Sequence, residues 1–161
     1  MRGIQRVLGG IIFLALAVGL AVVPERALPQ PSGRAAQNGN DEAIPAYHSE
    51  VPKGPLPATL GPSLFAEPVV QNAYRAAART KKILYQQPCY CHCDRSQGHG
   101  SLLDCFVSKH AAECGTCISE AFYSYEQSRK GKTAAQIREG IEQGDWQKVD
   151  LTKYLAPLPA K

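Results

Sequence analysis

The residues able to do chemistry are crowded into one stretch of the chain. All six cysteines fall between positions 89 and 117: Cys89, Cys91 and Cys93 in the run Pro88-Cys89-Tyr90-Cys91-His92-Cys93, then Cys105, Cys114 and Cys117. His92, Asp94, His99 and His110 share the window. Three thiols in five residues exceed what core packing asks for, so the stretch reads as a ligand set or a redox set. Closely spaced thiolates with imidazole select Cu(I), Zn(II) and similar ions over hard cations. Met1 is the only methionine, which argues against a thioether-rich copper site.

Spacing constrains how these groups can work. On an extended chain residues i and i+2 face opposite ways, so Cys89 and Cys93 are expected on one side and Cys91 on the other. A disulfide within the trio would be strained, and an oxidised form would pair each of the three with Cys105, Cys114 or Cys117. On a continuous helix His110, Cys114 and Cys117 would share one stripe. Gly115 can interrupt that helix, in which case Thr116 caps a new one with Cys117 in its first turn. The leading ligand set is therefore Cys89, Cys91, Cys93, Cys114 and Cys117 with His92 or His110. Cys105, flanked by Leu103 and Phe106, reads equally as a core residue. His99, in the loop Gly98-His99-Gly100, is a secondary candidate. The order is Cys-x-Cys-His, so neither a c-type haem signature nor the paired Cys-x-x-Cys of a zinc ribbon is present.

The hexapeptide at 88–93, followed by Gly98-His99, Leu102, Cys105-Phe106, His110, Cys114 and Cys117, resembles the bacterial proteins named for a PCYCGC or CYCxC motif. The resemblance covers roughly residues 88 to 123. It implies no established activity. The family is described as including selenoprotein members, which would imply redox or soft-metal chemistry. Here His92 stands where the motif has glycine, which adds a candidate ligand or proton carrier and removes the residue on which a tight turn there would depend.

The elements that must position these groups are helical. Residues 69–87 lack glycine and proline and repeat Val70, Ala73, Tyr74, Ala77 and Leu84 near a 3.6 period, with Pro68 at the entry and Pro88 at the exit. Ser101 with Asp104 resembles a capping box opening a helix through Leu102, Leu103, Phe106 and Val107. Ile118 to Arg129 is helical, with Ala121, Phe122 and Tyr125 for the core. Thr133 with Gln136 is a second capping box, opening a helix through Ile137 and Ile141 that stops at Gly144. The expected fold is all-α, about four helices over residues 68–150 with a tail at 151–161.

Residues 1–23 read as a targeting segment: Arg2 and Arg6, then an uncharged run from Val7 to Val23. Its length favours an uncleaved membrane anchor, and the arginine pair places the rest of the chain outside the cytoplasm. The alternative is secretion after cleavage at the soft site Gly19-Leu20-Ala21. Residues 24–67 read as a proline-rich disordered linker, nine of the twelve prolines lying between Pro24 and Pro68. His48, within it, is given no role.

Beyond Arg2 and Arg6 the chain carries 16 basic against 14 acidic residues. That balance supplies no strong basic field for nucleic acid. No phosphate loop, hydroxyl nucleophile motif or paired-carboxylate site is present. Three readings follow: an exported domain binding a soft metal, copper or zinc; a thiol-disulfide redox protein using Cys114 and Cys117; or a disulfide-stapled interaction domain. The first leads.

Overall fold

The computed structural model describes residues 43–159. The targeting segment and the first part of the proline-rich stretch lie outside the described residues. Within them the fold is all-α: five helices and several short 3-10 turns, with no strand. No described helix is long and apolar enough to cross a membrane.

Helix α1 (Pro68–Arg79) begins on proline at its first turn, where the missing N–H costs nothing, and buries Val70, Ala73, Tyr74, Ala76 and Ala77. The expected single helix over 69–87 is divided. Thr80 leaves helical geometry at φ −123°, its hydroxyl donates to the Ala76 carbonyl at 2.8 Å, and the four-residue α2 (Lys81–Leu84) follows. Helix α3 (Cys93–Gln97) is little more than one turn. Helix α4 (Gly115–Arg129) is the centre of the molecule: Ile118, Ala121, Phe122 and Tyr125 are buried, and α1 packs along it. Helix α5 (Ala134–Glu142) opens on the complete capping box of Thr133 and Gln136, as its sequence predicts. The chain leaves α5 through Gly144 at φ 78°, a left-handed turn that favours glycine.

The Ser101–Asp104 box is not made. Ser101 is extended and buried, and makes no cap hydrogen bond. The Asp104 carboxylate instead accepts from the Gly100 N–H at 2.7 Å, and the segment Leu102–Phe106 is a 3-10 turn. Its three-residue period still buries Leu102, Leu103, Cys105 and Phe106 together.

Residues 43–67, which composition places in the linker, lie against the helices. Pro45 is fully buried, Leu56, Leu60 and Phe65 pack on the core, and the Leu60 N–H donates to the Phe106 carbonyl at 2.9 Å. His48 stacks on Tyr85 with ring centroids 3.9 Å apart, which pins this strap. Past α5, Tyr154 is buried and stacks on Phe122 at 3.5 Å. The buried Asn72 amide donates to the carbonyls of Tyr154 and Ala156 at 2.7 and 2.8 Å, tying the tail to α1.

Gly140 of α5 leaves room for the Tyr123 side chain of α4, since a β-carbon there would overlap the Tyr123 hydroxyl. Gly140→Ala is expected to cost about 1–3 kcal/mol by overpacking. Part of that loss should be recovered in the Tyr123→Phe background. Urea melts of the four proteins measure the coupling; equal costs in both backgrounds would contradict this contact.

Candidate metal centre

Three short segments converge at the amino end of α4. The first is the motif itself. Pro88 leads into a turn closed by the His92 N–H donating to the Cys89 carbonyl at 3.1 Å. This turn overturns the alternating arrangement expected of an extended chain, because it brings the Cys89 and Cys91 sulfurs to 3.3 Å. His92 holds the turn in left-handed geometry at φ 55°, a conformation glycine adopts freely and histidine tolerates better than most residues.

The second segment is α3 with its exit. Gly98 at φ 68° reverses the chain, and the His99 N–H donates to the Cys93 carbonyl. His99 Nδ1 thereby lies 3.2 Å from Cys93 Sγ. The 3-10 turn Leu102–Phe106 then delivers Cys105 Sγ to 3.3 Å from Cys93 and 3.4 Å from His99 Nδ1.

The third segment carries His110, Cys114 and Cys117. The continuous helix is not formed: a 3-10 turn spans His110–Glu113, Cys114 is extended at φ −125°, and α4 starts at Gly115. Of the two alternatives the interrupted one holds, with Cys114 rather than Thr116 at the cap position. Cys117 sits in the first turn of α4, 3.5 Å from Cys89 Sγ and 3.6 Å from Cys91 Sγ. His110 Nε2 reaches Cys91 Sγ at 3.7 Å.

The donors form two triangles, one of Cys89, Cys91 and Cys117 and one of Cys93, Cys105 and His99. A metal–sulfur bond of about 2.3 Å makes the edge of a tetrahedral site about 3.8 Å, so the sulfur–sulfur edges of both triangles fall about 0.2 to 0.5 Å short of ligand spacing. No two sulfurs lie at bonding distance and all six cysteines are free thiols. Three overlapping foursomes, Cys89-Cys91-Cys93-Cys105, Cys91-Cys105-His110-Cys117 and Cys93-His99-Cys105-His110, each have all four donor atoms within 4.8 Å of one another. Cys89, Cys93, Cys105 and Cys117 are buried, and Cys91, His99 and His110 form a half-exposed rim.

Cys105 and His99, secondary in the sequence, are thus central in space. His92 lies outside these groups, its ring edge-on to Tyr90 at 5.9 Å. Cys114 also lies outside them, half-exposed beside Cys91 and Cys117.

Crowding makes the thiols unequal. Cys91 accepts from the Cys89 and Cys117 thiols. Contacts with Cys105, then Cys114, Cys117 and Cys89, hold its thiol well below the ordinary range. Cys117 is pushed up, by Cys105 first and then Cys114. Burial, then the neighbouring His110, holds His99 below its usual value and favours the neutral imidazole that ligates metals.

Glu120 is a functional candidate that the sequence reading missed. It lies one turn beyond Cys117 and is fully buried. Its Oε1 accepts from the Tyr90 N–H at 2.9 Å, bracing the motif turn, while Oε2 has no hydrogen-bond partner. Burial pushes the carboxyl up to about 8, against smaller opposing pulls from the nearby Cys89 thiol and the Tyr90 amide. The available signal was an acidic residue on the apolar face of α4, beside Ala121 and Phe122.

Residues 54–149, more than half of the chain, match the family described as proteins of unknown function with a PCYCGC motif. The chain belongs to that family. Neither the curated proteins nor the solved structures gave a match.

Two outcomes are expected of this site. His92→Gly should leave Zn(II) uptake unchanged and keep or raise the stability of the fold, by up to about 1 kcal/mol of relieved backbone strain. A loss of bound metal would make His92 a ligand. Glu120 is protonated in the fold and ionised in the unfolded chain between pH 4.5 and about 8. Its contribution to stability is therefore complete below pH 4.5 and lost as pH rises to about 8. In metal-free protein Glu120→Gln should flatten that decline, measured by denaturant melts across the window. Identical profiles for the two proteins would contradict the assignment.

Proposed function

We propose that this protein is an exported, membrane-tethered domain that binds a soft metal ion of the Cu(I) or Zn(II) class in its thiol and imidazole cluster. The observation that carries the reading is the convergence of five thiols and two imidazoles from three segments at ligand spacing. The chemistry of the donors fits: sulfur and neutral imidazole suit soft and borderline ions, and hard cations would find no oxygen cage among these groups. The tether and the outward orientation rest on the uncharged run Val7 to Val23 behind Arg2 and Arg6. In that compartment metal loading would also protect thiols that otherwise oxidise.

The redox reading draws less support. Cys114 is half-exposed at the cap of α4, as an attacking thiol would be. Its partner Cys117 is buried with its thiol pushed up, and its sulfur neighbours include Cys89 and Cys91 as well as Cys114. An isolated dithiol pair is not what these contacts describe.

Because the ligands are brought together only by folding, metal binding contributes directly to stability. The reduced, anaerobic full chain should melt higher with Zn(II) or Cu(I), and a chelator should reverse the gain. At a free-ion concentration of about 100 times Kd the stabilisation is about 2.7 kcal/mol. The Cys91→Ser, Cys117→Ser double variant should lose much of the gain, and Cys114→Ser should retain it. Wild-type protein whose melting temperature ignores both ions would overturn the proposal.

A further inference from the structure

The donor set is too large for one ion. A tetrahedral soft-metal site takes four ligands, whereas seven donor atoms converge here, and Cys114 stands next to them. They are not arranged as one shell with spares. The three foursomes overlap without coinciding: Cys117 and His99 share none and mark two ends, while Cys89 and Cys93 meet in the foursome between them. Each end has its own closed triangle. The edges of one are 3.3, 3.5 and 3.6 Å, among Cys89, Cys91 and Cys117. The edges of the other are 3.2, 3.3 and 3.4 Å, among Cys93, His99 and Cys105.

Resting on the metal-binding reading above, we infer that the cluster is a dinuclear centre: one ion on the Cys89-Cys91-Cys117 triangle, a second on the Cys93-His99-Cys105 triangle, joined by the Cys105 thiolate. Cys105 is the residue common to all three foursomes, within 4.8 Å of every other donor of the set. A thiolate has lone pairs for two metals, so it can complete the coordination of the first ion while ligating the second. His110, 3.7 Å from Cys91 and within 4.8 Å of Cys93, His99 and Cys105, supplies a fourth donor to the second ion from the exposed rim.

For Zn(II), the divalent member of the class, charge accounting agrees with two ions. Each thiol loses its proton to solvent as it ligates, and five thiolates with two divalent ions leave a net charge of −1. One divalent ion on the same five would leave −3 in a site whose floor is buried, which a protein interior opposes. A single ion would therefore leave one triangle protonated and unused.

The test uses the reduced, anaerobic full chain loaded with Cd(II), a spectroscopically visible soft ion. Native mass spectrometry should show two ions per chain, and cadmium NMR two resonances split by a shared thiolate. In the Cys93→Ser, His99→Ala variant one ion and one resonance should remain. Because that variant can fail to fold, the wild-type spectrum decides by itself. One ion and one resonance in wild type, or two resonances without coupling, would overturn the bridged centre and leave single-site metal binding standing. No bound ion at all would remove the metal-binding reading itself.

Discussion

Everything at the cluster depends on keeping thiol groups at close range in a buried place without bonding them to one another. Sulfurs 3.3 to 3.6 Å apart are too far for a disulfide and close enough that the charge on one alters the next. Such a set is costly to ionise in a low-dielectric interior. A bound soft cation would resolve that problem, because it would fix the thiolates and offset their charge.

The fold serves that constraint. Helix α4 is buried on most sides, and its amino end carries Cys117 into the middle of the other donors. Against it, the motif turn is braced from behind by the Glu120 carboxyl on the Tyr90 N–H, and α3 is short enough to return His99 to its own first residue. The strap over residues 43–48 adds cover. Pro45 and Ala46 lie against Cys89, Cys93 and His99, leaving the half-exposed Cys91, His99 and His110 as the side on which the site meets solvent.

Local signals were legible where local interactions decide. The all-helical class, the box at Thr133 and Gln136, and the buried positions of α4 all follow from period and cap chemistry. The same chemistry misled at Ser101, because that serine is extended and buried and its acidic companion is taken by Gly100. Thr80 divided the first helix by turning its hydroxyl onto Ala76, which apolar spacing does not encode. At the site, the cysteine crowding announced the chemistry but not the partners. Cys105 looks like core because its sequence neighbours are Leu103 and Phe106; it is buried, and it also faces Cys93 and His99 across a turn. The facing of Cys89 and Cys91 depends on one backbone hydrogen bond and the left-handed His92, invisible to an alternation rule. Composition assigned 43–67 to the linker because prolines are as common in an extended strap as in a coil.

X-ray absorption at the metal edge of the zinc-loaded full chain tests the central claim most directly. The account predicts a shell dominated by sulfur at about 2.3 Å with a minor nitrogen contribution at about 2.0–2.1 Å. A shell of oxygen and nitrogen alone would place the ion elsewhere on the protein and contradict the account.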